Sequence, residues 1–163
     1  MQSFEELFTA YFERVYRFCR ALTRSADAAE ELTEQTFFKA LKSLDGFEGR
    51  CEPSTWLISI AKNEYFASLR KRRELPLDAD AVHATDAAES PERLYLLGEE
   101  TMRLHRCLHA LSEPYREVFM LRVFGELKYT QIAALFNKSE SWAKVTYYRA
   151  KLELQNRLKE EEE

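Results

Sequence analysis

The feature that most constrains this chain is the stretch from Glu74 to Ser90, where the helical period stops. Prolines mark its margins (Pro76, Pro91), Asp and Ala are frequent, and there is no Lys or Arg. It reads as a linker, because it has too little apolar surface to offset the entropy of ordering it. On both flanks apolar residues recur at three-four spacing, the pattern of amphipathic helices. The 163 residues therefore read as two small helical domains, 1–73 and 91–163, joined by an acidic linker, 74–90. Four Gly and four Pro are too few for a turn-rich all-β protein, and 45% hydrophobic residues are enough for cores. The expected fold class is all-α.

Ser3-Phe4-Glu5-Glu6 has the form of a capping box. Behind it Leu7/Phe8, Tyr11/Phe12, Val15/Tyr16, Cys19 and Leu22 predict a helix from about 3 to 24. Ser25 or Asp27 caps the next, with Leu32, Phe37, Leu41 and Leu44 as its apolar stripe. Asp45-Gly46 and Glu48-Gly49 break the pattern, and Ser54 is expected to cap a third helix ending in the basic run Arg70 to Arg73. After the linker, Ser90-Pro91 reads as a helix start, followed by Leu94, Leu97, Thr101, Leu104, Leu108 and Leu111. Ser112 is expected to cap a helix from Glu113 to about Phe124, and Thr130 a short one. A last helix runs from about Glu140 to Leu158, with a solvated, frayed Glu tail.

The net charge of −4 is unevenly spread: +1 over residues 1–73, −7 over 74–100 and +2 over 101–163. Read by segment, this does not exclude nucleic acid, because local patches set phosphate affinity. No apolar run approaches the roughly 18 residues of a membrane span. The first residues lack a basic and an apolar export region. Three cysteines (Cys19, Cys51, Cys107), far apart and without a CxxC, do not form a disulfide framework and fit a reducing cytoplasm. His105 and His109 share a helix face, but Cys107 lies on the far side, and there is no HExxH glutamate. No Gly-rich phosphate loop and no general base beside a thiol is present. No catalytic residue, metal or cofactor is therefore expected, and the chain is not read as an enzyme.

A short helix holding Ala133, a three-residue break at Asn137-Lys138-Ser139, and a longer helix rich in Lys, Arg, Tyr and Ser suggest a helix-turn-helix over about 130–158. Two inward registers fit the last helix, Trp142/Val145/Leu152 or Ala143/Tyr147/Ala150/Leu154, and periodicity does not separate them. In the second, Lys144, Val145, Tyr148 and Arg149 face outward. There Lys and Arg can bond phosphates or guanine edges, and Val or Tyr can touch a thymine methyl.

The order of three segments in the first half carries a resemblance: Asp27 to Ala40, Gly46-Phe47-Glu48-Gly49, and Thr55 to Asn63. Three more follow in the second half: Leu111 to Phe119, Tyr129-Thr130-Gln131-Ile132-Ala133, and Arg149-Ala150-Lys151. Together they resemble the extracytoplasmic-function sigma factors, small two-domain promoter-recognition subunits of bacterial RNA polymerase. The resemblance implies an alternative sigma factor, a stress-response class, that binds core polymerase and directs promoter-specific initiation. Glu31, Leu32, Glu34, Gln35 and Phe38 would dock on the β′ clamp helices. Phe47, the loop residues Gly49, Arg50, Cys51, Glu52 and Ser54, and Asn63 would read and open the −10 element, with Arg70, Arg72 and Arg73 on phosphates. Trp56 matches a family position but equally reads as packing. Arg122, Ser141, Lys144, Val145, Tyr148 and Arg149 would contact the −35 element. The resemblance also selects the second inward register, places the β flap on the C-terminal domain, and puts the linker along the RNA path. It implies a monomer when free, and an anti-sigma partner, often membrane-bound. Asn137 stands where the family has a turn Gly, and Trp142-Ala143 where it has Thr-Val.

Two other classes remain to be weighed. A helix-turn-helix regulator acting without polymerase explains residues 112–158 but leaves the first three helices without a role. A helical interaction module has no use for DNA at all.

Overall fold

The computed structural model describes residues 3–23, 25–74 and 99–162. The chain divides into two compact units, Met1–Ala88 and Glu89–Glu163. Among the described residues there are seven α-helices, one short 3-10 turn and no strand. The linker expected over 74–90 and the helix start at Ser90-Pro91, with Leu94 and Leu97, lie outside the described residues beyond Glu74.

The first unit packs three helices against one another: α1 (Phe4–Leu22), α2 (Ala26–Ser43) and α3 (Pro53–Glu74), with a 3-10 turn Leu44–Gly46 after α2. α1 begins on the capping box. The Ser3 hydroxyl accepts from the Glu6 amide and the Ser3 amide donates to the Glu6 carboxylate, both at 3.2 Å. Ser25, not Asp27, caps α2, its hydroxyl 3.0 Å from the Ala28 amide. The inner face of α2 differs from expectation. It is built from Ala29, Leu32, Thr33, Thr36, Phe37 and Ala40, and Leu41 is half out in solvent. The buried threonines bond back to the carbonyls four residues earlier, Thr33 to Ala29 and Thr36 to Leu32, each at 2.7 Å. Their hydroxyls are thereby satisfied, and they pack as small apolar groups.

Phe37 is the centre of an aromatic cluster with Phe4, Phe8 and Phe12, at ring separations of 5.0–6.4 Å. Ser54 does not cap α3. Pro53 takes the first helical position, where its missing N–H costs nothing, and the Glu52 carbonyl accepts from the Trp56 amide. Leu57, Ile58 and Ala61 fill the α3 side of the core, and Lys39 pairs with Glu64 across α2 and α3.

The second unit is α4 (Glu99–Ala110), α5 (Tyr115–Val123), α6 (Tyr129–Phe136) and α7 (Glu140–Glu162), with α7 packed on the other three. Leu108 and Leu111 are core residues, but Leu104 is exposed. α5 starts two residues later than expected, with Pro114 rather than Ser112 at its cap position. The Glu113 carboxylate accepts from the Glu117 amide, one of the first-turn donors a serine cap serves, and its other oxygen pairs with the Arg116 guanidinium at 2.7 Å. Thr130 likewise is not the cap of α6. Lys128 is, and its amide is taken by the Gln131 side chain at 2.8 Å.

The α6–α7 break is Asn137 in the left-handed conformation (φ 55°, ψ 47°), followed by Ser139, whose hydroxyl accepts from the Trp142 amide at 3.1 Å. Asn tolerates this region better than most residues. α7 continues past Leu158 to Glu162, because Glu161 in the supposedly frayed tail pairs with Arg106 of α4 at 3.4 Å. Among the described residues no helix is long and apolar enough to cross a membrane.

Candidate nucleic-acid interface

In the first unit the chain leaves α2 through the 3-10 turn and presents Phe47, whose ring stacks on Trp56 at 4.5 Å and 25°. Both rings are half-buried, leaving an aromatic surface at the head of α3. Gly49 follows at φ +74°, a region that favours glycine. Arg50 is exposed and paired with Glu48 at 2.7 Å, and Cys51 and Glu52 are exposed beside it. Trp56, Asn63 and Arg70 succeed one another at seven-residue intervals, so they lie on one face of α3, roughly 10 Å apart. Asn63 and Arg70 are exposed on that face. It offers an aromatic plane, then an amide, then a cation: the groups that stack an unpaired base, bond its edge and hold a phosphate. Ser54 is not part of it. Its side chain is only 3% exposed and belongs to the core. Arg72 and Arg73 are within α3, but their side chains lie outside the described residues.

On α2, Glu31, Glu34, Gln35 and Phe38 share an exposed face. The Gln35 amide donates to Glu31 at 3.4 Å, and the Lys42 ammonium sits 4.3 Å above the Phe38 ring. Leu32 does not join this face. At 6% exposure it is a core residue, turned toward the buried stripe of the helix.

In the second unit Ala143, Thr146, Ala150 and Leu154 are buried, which settles the register of α7. Ser141, Lys144, Val145, Tyr148 and Arg149 are all exposed, with Val145 at 48% and Tyr148 at 60%. Lys144 has Glu140 at 3.5 Å, a surface pair that a phosphate can displace. Trp142 is half-buried against Phe136 at 5.2 Å. Arg122 is half-buried. It donates to the Leu127 carbonyl at 3.0 Å and lies over the Tyr129 ring at 4.2 Å.

Sequence reasoning gave no role to Tyr129, on which Arg122 rests. It also missed Leu152, 59% exposed one turn beyond Tyr148. The spacing Val145–Leu152 was visible, but it served the inward register that the core rejects. Burial raises the Tyr129 phenol, opposed by the charge of Arg122.

Cys19 is buried and pushed up to about 12 by desolvation, against a smaller lowering from Thr33. Burial also raises Cys51, and it raises Cys107 with Glu161 adding to it. None is an activated thiol. Among the described residues no group of three or more His, Cys, Asp or Glu is placed to hold a metal ion.

The fold is a two-part helical one with a polar and aromatic face exposed on each unit. Comparison with known proteins gives its lineage. Residues 7–74 match Sigma-70 region 2, and residues 101–154 match Sigma-70 region 4. Over 159 residues the chain is 28% identical to the RNA polymerase sigma factor YlaC of Bacillus subtilis, spanning 96% of this chain and 92% of that protein. It is 27% identical over 153 residues to the ECF RNA polymerase sigma factor SigM of the same organism, spanning 92% and 91%. The sigma factor RpoE of Bartonella quintana, solved with its anti-sigma factor NepR, superposes with a TM-score of 0.74 at 25% identity, over 96% of each chain. CnrH, solved with the cytosolic domain of CnrY, superposes at 0.70 over 96% of this chain and 87% of that one; at 20% identity it speaks to the fold. The chain belongs to the extracytoplasmic-function sigma factors. It is an alternative sigma factor that directs transcription initiation.

Proposed function

We propose that the protein works in the cytoplasm by bringing core RNA polymerase to a two-part promoter and capturing one strand of the downstream element as it opens. The α3 face does the capture. Phe47 and Trp56 provide the stacking surface, Asn63 bonds an exposed Watson–Crick edge, and Arg70, with Arg72 and Arg73, holds the backbone. The loop Gly49 to Glu52 borders the base pocket. α7 enters the major groove at the −35 element, with Ser141, Lys144, Val145, Tyr148 and Arg149 toward the bases and phosphates and Arg122 on the flanking backbone. Glu31, Glu34, Gln35 and Phe38 dock on the β′ clamp helices, an acidic edge meeting a basic groove. The second unit engages the β flap. The protein performs no bond chemistry of its own; polymerase does. An anti-sigma factor covers these faces until a signal releases it, a reading supported by the complex of the Bartonella protein.

The observation that carries this reading is the α7 register. Burial of Ala143, Thr146, Ala150 and Leu154 leaves a basic and aromatic face turned to solvent. Run-off transcription with bacterial core polymerase on a genomic-fragment library tests it. Discrete start sites that depend on the protein are expected, and they also yield the promoter. If none arises and the protein does not comigrate with core enzyme, the polymerase reading fails. Tight binding of the free chain to the same duplexes then points to a polymerase-independent regulator.

A further inference from the structure

We infer that Tyr129 is a positioning residue of the −35 interface: its ring holds Arg122 of α5 and, at the edge of its reach, Lys144 of α7 as a pair of phosphate clamps. This rests on reading α7 as the −35 helix. The Arg122 guanidinium carbon is 4.2 Å from the ring centroid and the Lys144 nitrogen 6.0 Å, both within cation–π reach. The ring is itself held, 5.9 Å from Tyr147, which stacks on Phe119 at 5.8 Å. Arg122 is further pinned to the Leu127 carbonyl through one guanidinium nitrogen. The Leu127 carbonyl takes one of its five donors and the Tyr129 hydroxyl accepts from another, and the remainder can meet a phosphate.

A free Arg or Lys must lose rotamer freedom when it grips DNA. Here the ring restricts Arg122 at 4.2 Å, and it lies 6.0 Å from Lys144, which Glu140 also holds at 3.5 Å, so two cations from different helices are already gathered near one plane. Tyr129 thus acts through the two cations, and its contribution should appear as their phosphate contacts appear, in the salt dependence of binding.

The test uses the full chain reconstituted with bacterial core polymerase and a promoter fragment obtained by run-off selection. Affinity is measured over a range of salt. Each phosphate contact contributes about 0.9 to the slope of log K against log salt. Tyr129→Ala and Tyr129→Leu are expected to flatten the slope by about one to two contacts, as Arg122→Ala flattens it by about one. Tyr129→Phe keeps the ring and is expected to keep the wild-type slope. Arg122→Ala combined with Tyr129→Ala should lose less than the sum of the two. Circular dichroism melts confirm which variants are folded, and Tyr129→Leu, which retains apolar bulk, serves if the alanine variant is not.

A wild-type slope in folded Tyr129→Leu overturns the inference, as does strict additivity of the double variant. An unchanged slope in Arg122→Ala, with Lys144→Ala and Arg149→Ala still defective, removes Arg122 from the interface and overturns the inference while the −35 reading stands. Unchanged slopes in all of them overturn both.

Discussion

Asn137 carries the turn of the helix-turn-helix on a single left-handed residue, φ 55°. Any side chain with a Cβ is disfavoured there, Asn least. Asn137→Ala is therefore expected to destabilise the second unit by about 1 kcal/mol, and Asn137→Gly to leave it unchanged or slightly more stable; thermal melts compare them. Cys19 offers a test of a different kind. Burial pushes the thiol up to about 12 from its ordinary value of 9.0, so between those values the folded state binds the proton that the unfolded state has lost. Stability is then full below about pH 9 and falls as pH rises toward 12, by up to about 1.4 kcal/mol per pH unit. Subtracting the alkaline melting profile of Cys19→Ala from that of wild type should isolate this slope. A difference profile that is flat would contradict the burial of the thiol.

At the scale of elements, α7 separates its two faces cleanly. Ala143 and Ala150 are fully buried against the other helices of the unit, so Ala150→Leu is expected to overpack the contact and cost about 1–3 kcal/mol. Tyr148 on the opposite face supports no core. Tyr148→Ala should leave the melting temperature unchanged while cutting −35-dependent transcription about tenfold or more, the scale of one lost base contact. The helices themselves were plain in the sequence, and so were Ser3 and Asn137 at their ends; the sequence left Ser25 and Asp27 open as caps, and the structure chose Ser25. Helix starts differ from expectation where another group takes an orphan amide, Glu113 in place of Ser112 and Gln131 in place of Thr130, or where Pro53 at the first position removes one, so that Ser54 is not needed as a cap. Several side chains satisfy the same geometric need, and composition does not say which arrives.

For the whole molecule, the two faces lie in separate compact units, each with its own core. Their contributions to promoter use should therefore multiply. Asn63→Ala and Arg149→Ala, each measured in run-off transcription, are expected to combine in the double variant to the product of the single effects. A double variant no worse than the poorer single one would show instead that the two readings act as one step.

The sequence by itself determined the all-α class, the two helical blocks and the helix-turn-helix, because apolar period, caps and turn residues are local properties of the chain. It also held the ordered segments that mark the family. Periodicity alone did not determine which α7 register faces inward, since two stripes fit the same period; the resemblance selected one, and the burial of Ala143, Ala150 and Leu154 agrees with it. The sequence did not show that Thr33 and Thr36 are core, that Ser54 is buried, that Leu32 belongs to the apolar stripe alone and not also to the docking face, or that Tyr129 is near both Arg122 and Lys144. Those are facts about groups distant in sequence or on different faces of one helix, and only packing brings them together or sets them apart.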